Sequence, residues 1–125
     1  MMTNPYQAYK QQSVMTMTPG QMLVAVFDEL IKQLKMSQIA FEKNDIPEIN
    51  RTLQKAQRII NELRGSLNFE YSIANDLNDI YNYFNRAIIN ANVKKDAADI
   101  GDILQMVTEL RDAFAEADKI SRRQG

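Results

Sequence analysis

Apolar residues recur along this chain at intervals of three and four, the period of helices with one buried face. Leu23, Phe27, Leu30, Leu34 and Phe41 keep one face apolar as far as about Lys43. Thr18 stands as N-cap, with Pro19 at the first helical position and Gln21 three residues on, a capping box. Met17 and Met22 occupy the positions of a hydrophobic staple across that start. Asn44-Asp45-Ile46-Pro47-Glu48 breaks the pattern and opens a second helix capped by Asp45. Its seam is Ile49, Leu53, Ala56, Ile60, Leu63 and Leu67, and it ends near Gly65 to Asn68. The third seam reads Ile73, Leu77, Ile80, Phe84, Ala87 and Ala91. Asp96 is the expected cap of a fourth helix lined by Ile100, Ile103, Val107, Leu110, Phe114 and Ala117. Acidic residues gather at that helix's start and basic ones at its end, as the helix dipole favours. No two-residue alternation competes, and the connections are short enough to force antiparallel neighbours. The expected fold is all-α: an antiparallel up-down-up-down four-helix bundle over residues 18–121, with a tail at 122–125. It forms one domain over 1–125, with 1–17 a mobile N-terminal cap segment.

That segment repeats the helix-start signals in miniature. Asn4 is a candidate N-cap, Pro5 takes the first helical position, and Gln7 follows three residues on. Tyr6 and Tyr9 then share one face of a short helix, and Val14 follows in an extended connection. Isolated helices below about 12 residues are marginal in water, so something else must hold this one. Met1 to Met22 contains five of the seven methionines, flexible side chains that repack easily. The two rings either close one end of the core or form a displaceable lid.

Some apolar residues lie outside the four seams. Helix three adds Tyr81, Tyr83, Ile88 and Ile89; helix one adds Val24, Val26 and Ile31; helix two adds Ile59. Apolar residues around more than one side of a helix call for burial on more than one side. Either the core seam is wide and a few apolar residues are merely exposed, which is normal, or the preface or a partner covers this surface.

Composition narrows the chemistry. With 125 residues, 45% of them hydrophobic and 25% charged, the chain has the balance of an ordinary globular domain. A net charge of -1, with no basic run beyond Lys94-Lys95 or Arg122-Arg123, leaves no footprint for nucleic acid. No apolar stretch approaches the roughly 18 residues of a membrane span, the N-terminus is too polar for a signal peptide, and there is no cysteine. A cytoplasmic location is expected. The absence of histidine removes the commonest general base and transition-metal ligand, and the four glycines lie too far apart for a phosphate loop. No cofactor is called for.

An enzymatic alternative rests on Asp76-x-x-Asp79 and Glu109-x-x-Asp112. Antiparallel packing could converge these carboxylates on Mg²⁺, as in all-helical nucleotide pyrophosphohydrolases. Both pairs lie one step off the seams, where solvated charges belong, and Arg111 is a ready ion-pair partner. Another alternative is a self-associating structural bundle that uses the extra apolar face as its interface.

From Asn4 to about Ala117 the chain resembles the flagellin export chaperones, the FliS family. The resemblance is carried by Asn4-Pro5-Tyr6-x-x-Tyr9 and Ser13-Val14 before Thr18-Pro19-Gly20-Gln21. It continues in Lys55-Ala56-Gln57-x-Ile59-Ile60-x-Glu62-Leu63, then Ile73-Ala74-x-x-Leu77 with Tyr81-x-Tyr83. Ala91-Asn92-x-Lys94-x-Asp96 and Glu109-Leu110-Arg111-Asp112-Ala113-Phe114 complete it. Phe114 stands where many members carry Trp. The resemblance implies a cytoplasmic, non-enzymatic chaperone. It would hold the disordered C-terminal segment of flagellin, prevent premature polymerisation and deliver the subunit to the flagellar type III export apparatus. It further implies that the N-terminal segment shifts on binding, with Tyr6, Tyr9 and Val14 at matched positions. Together with the off-seam residues of helix three, the expected partner-binding set is Tyr6, Tyr9, Val14, Tyr81, Tyr83 and Ile88. Other flagellar regulators and export-gate components are candidate further partners.

Overall fold

The computed structural model describes residues 17–124, which form four α-helices and no strand. They are α1 (Pro19–Glu42), α2 (Ile46–Gly65), α3 (Ile73–Lys94) and α4 (Ile100–Gln124). Tyr6, Tyr9 and Val14 lie outside the described residues.

The start signals operate as their chemistry requires. At α1 the Gln21 N–H donates to Thr18 Oγ1 and the Thr18 N–H donates to Gln21 Oε1, both at 3.0 Å, which satisfies two orphan donors reciprocally. At α2 the Glu48 N–H donates to Asp45 Oδ1 at 3.2 Å. Asp96 behaves differently from expectation. Its carboxylate accepts from the Ala98 N–H at 2.9 Å and so shapes the turn, and α4 begins only at Ile100. The Asp99 carbonyl is the acceptor for its first turn, from the Ile103 N–H at 3.1 Å. At its far end α4 runs to Gln124, beyond the expected limit at residue 121.

Cross-bundle pairs show the antiparallel order. Asp118 of α4 accepts from the Thr18 hydroxyl at 3.2 Å, and Arg111 reaches Asp28 at 2.8 Å. Lys55 of α2 meets Glu29 of α1 at 3.3 Å. Gly20 permits the first of these approaches, since a Cβ there would overlap the Asp118 carboxylate, which is also held by Arg122 at 2.9 Å. One core runs the length of the bundle, built from Phe27, Leu30, Leu34, Ile49, Leu53, Ile60, Phe84, Ile100, Ile103 and Val107 with their neighbours. Ser37, Ala40, Thr52 and Ala56 let α1 and α2 approach closely, and the buried hydroxyls bond carbonyls of their own helices. α1 thus packs on both α2 and α4, and α2 also packs on α3. The α3–α4 seam is much the thinnest of the four.

The α3–α4 turn depends on Lys95, whose φ of 53° lies in the left-handed region. Its ammonium donates to Asn50 Oδ1 of α2, the Asn92 carbonyl and Asn92 Oδ1, each at 2.6 Å, at the negative end of α3. Left-handed backbone costs a side-chain-bearing residue about 1–2 kcal/mol. Lys95→Ala, which keeps that cost and loses the bonds, should lower stability by about 1–3 kcal/mol in urea unfolding. Lys95→Gly should lose less, because glycine removes the backbone cost.

Candidate functional site

The thin seam leaves an apolar groove between α3 and α4. It holds about 300 Å³ and is lined by Ile80, Phe84, Met106, Glu109, Leu110 and Ala113. Tyr83 and Met106 stand out at its sides, 45% and 39% exposed. Towards the end of the bundle where α1 begins, a second hollow of about 180 Å³ is lined by Leu23, Leu67, Tyr71, Ile73, Leu77, Tyr81 and Phe114 among others. A third, of about 280 Å³, lies between α1 and α2, with Met17, Met22, Ala25, Val26 and Ile59 as its walls and Glu29 and Glu62 at its edge. Leu23 of the second hollow directly follows Met22 of the third, and Tyr81 and Phe114 flank Ile80 and Leu110 of the first. Apolar surface is thus distributed around one end of the bundle and down its thin side.

Aromatic packing sits behind the groove. Phe27 is fully buried on α1 and places its ring 5.5 Å from Phe114 of α4, stacked at 24°, and 6.4 Å from Tyr81 of α3. Both spacings lie within the range of favourable ring pairs. One α1 side chain therefore packs against both α3 and α4.

The helix-three candidates separate under this geometry. Tyr83 presents surface beside the groove and packs on Phe84 with ring centres 6.2 Å apart. Tyr81 and Ile88, expected outside the seam, are 2% and 0% exposed. The seam that the fold buries is Ala74, Leu77, Tyr81, Phe84, Ile88 and Ala91, while Ile73 is exposed and Ile80 and Ala87 are half-buried on the groove side. Met106 and Ala113 were not singled out in the sequence. Their seven-residue spacing beside Leu110 marks a second stripe on α4 that could have been found.

Electrostatics at the site are mild. Burial alone would raise the Glu29 carboxyl, but hydrogen bonds from Gln33 and Lys55, with the charges of Lys55 and Lys32, outweigh it and hold it below its ordinary value. Burial pushes the Tyr81 hydroxyl up to about 12. Among the described residues no three carboxylates come together as metal ligands. Asp112 instead takes Arg111 at 3.2 Å, and Arg111 also binds Asp28.

Residues 2–121 match the family model described as "Flagellar protein FliS". The chain belongs to the FliS family. It is 34% identical over 120 residues to the flagellar secretion chaperone FliS of Bacillus subtilis (strain 168), which covers 96% of this chain and 90% of that protein. It is 28% identical over 109 residues to the Salmonella typhimurium protein of the same name, covering 85% and 81%. A solved structure described as a flagellar chaperone from bacteria superposes with a TM-score of 0.77. It shares 22% identity and covers 91% of this chain and 94% of that one, a likeness of fold. No described helix of this FliS-family chain is long and apolar enough to cross a membrane.

Ile88→Ala should cost about 2–5 kcal/mol in chemical unfolding, as core truncations do, and Tyr83→Ala less than about 1 kcal/mol. Tyr81 binds its proton more tightly folded than unfolded, so its contribution is intact below about pH 10 and declines as pH rises towards 12. Tyr81→Phe should remove an alkaline loss on the order of 2 kcal/mol from the stability profile between about pH 10 and 12.

Proposed function

We propose that this protein is a non-enzymatic cytoplasmic export chaperone. It binds the disordered C-terminal segment of flagellin, keeps the subunit from polymerising early and delivers it to the flagellar type III export apparatus. The observation that carries this reading is the open α3–α4 groove, an apolar channel parallel to two helices, in a chain of the FliS family. A groove between helices suits an amphipathic segment whose apolar residues repeat at i, i+3, i+4 and i+7. Ordering such a segment costs about 2–5 kcal/mol, which favours a long contact over an isolated pocket, and the further hollows supply added length.

In this reading Tyr83, Met106 and Leu110 contact the partner directly. Tyr81 and Ile88 act beneath them by fixing the groove's floor and the angle of α3. The N-terminal segment serves as the displaceable cap, with Tyr6, Tyr9 and Val14 as its contact residues. It joins the bundle at Met17, on the edge of the α1–α2 hollow. The export gate and flagellar regulators would meet the loaded complex.

Titration calorimetry with a C-terminal flagellin segment tests the reading. Tyr83→Ala with Met106→Ala should weaken binding by about tenfold or more while helicity is kept, as removal of central apolar anchors does. Tyr6→Ala with Tyr9→Ala should also weaken binding with the melting curve nearly intact. Wild-type affinity in both variants would refute the groove and the cap together. Collapse of the tyrosine variant would make those rings core residues.

A further inference from the structure

The α3–α4 groove has an apolar floor but acidic borders. Glu109 lines it directly. Asp102, four residues before Met106, and Glu116, three after Ala113, extend that side along α4. On α3, Asp76 precedes Ile80 by four residues and Asp79 precedes Tyr83 by four. All five are exposed, and among the described residues none of them forms an ion pair. Glu109 accepts a hydrogen bond from its neighbour Gln105 at 3.3 Å. Arg86, three residues past Tyr83, is the cation set among these carboxylates; Lys94, one heptad past Ala87, lies beyond them at one end, and Lys119 and Arg123 follow beyond Glu116 at the other. The carboxylates are spread along the channel and gather no metal-binding cluster.

We propose that the α3–α4 groove selects an amphipathic helix whose apolar stripe is flanked by Lys or Arg, and excludes one flanked by acidic residues. This rests on the reading that the groove takes the export substrate, and it names the chemistry by which that segment is chosen. A border of like charge contributes less by net attraction than by penalising the wrong partner, since carboxylates facing carboxylates are repelled at a desolvating interface. The same border argues against a second copy of this chain as occupant. A two-fold interface through the groove sets one acidic border against another, acid facing acid.

Two synthetic helical peptides with one apolar stripe, flanked by Lys in one and Glu in the other, test the proposal beside a flagellin C-terminal segment. The Lys-flanked peptide should bind about tenfold tighter at about 50 mM salt, the sum of several exposed pairs. The ratio should shrink towards unity near 500 mM, where the screening length falls to a few ångströms. Asp76→Lys with Glu109→Lys, which sets three cations against the three remaining carboxylates, should abolish the preference. If that variant unfolds, Asp76→Asn with Glu109→Gln should reduce it. Equal affinities, a preference unmoved by the folded variant, or failure of both designed peptides while flagellin binds would each overturn the proposal and leave the chaperone reading standing. Failure of the flagellin segment itself would remove that reading, and this proposal with it.

Discussion

Phe27 is the side chain on which the shape of this bundle turns. It comes from α1, yet its ring lies between Tyr81 of α3 and Phe114 of α4. A ring of four antiparallel helices has four seams, and the one between α3 and α4 is here the thinnest. Phe27, from a helix that forms neither wall of that seam, packs its ring against a residue of each wall. α3 and α4 meet only sparsely along their outer edges. Ile80, Leu110 and Met106 are left as a channel where a symmetric bundle would have more core.

That arrangement has a thermodynamic logic for a chaperone. The closest packing joins α1 to α2 and α4, and α2 to α3. The groove keeps Phe84 in the core while leaving Met106 exposed, and apolar surface of this kind is what a folding-upon-binding segment requires. A groove already formed in the free protein would lower the ordering cost of association in the proposed reading.

Much of the architecture was legible in the sequence because its signals are local. Thr18, Pro19 and Gln21 cap α1 within four residues, Asp45 does the same for α2, and neither depends on the rest of the molecule. The phase of α3 was not legible. Two stripes, one through Ile80 and Ala87 and one through Tyr81 and Ile88, share Leu77, Phe84 and Ala91, and a spacing of alternating fours and threes suits both. A straight helix drifts by about 20° per heptad relative to such a repeat, so the two stripes are flanks of one face. Packing puts the bulkier pair, Tyr81 and Ile88, inside and turns Ile80 and Ala87 towards the groove. The groove itself could not be read in advance, because which of four seams stays thin depends on long-range packing that local signals do not carry. The role of Asp96 was misread for a similar reason. Its carboxylate is satisfied within the turn at Ala98, two residues before α4 begins.

The central claim is that the α3–α4 groove receives the partner. Amide hydrogen exchange, measured with and without a C-terminal flagellin segment, tests it most directly. The account predicts added protection concentrated in Ile80–Ala87 of α3 and Met106–Ala117 of α4, with the Lys95–Asp99 turn unchanged. Tight binding that protects only α1 and α2, and leaves both groove helices exchanging as in the free protein, would contradict it.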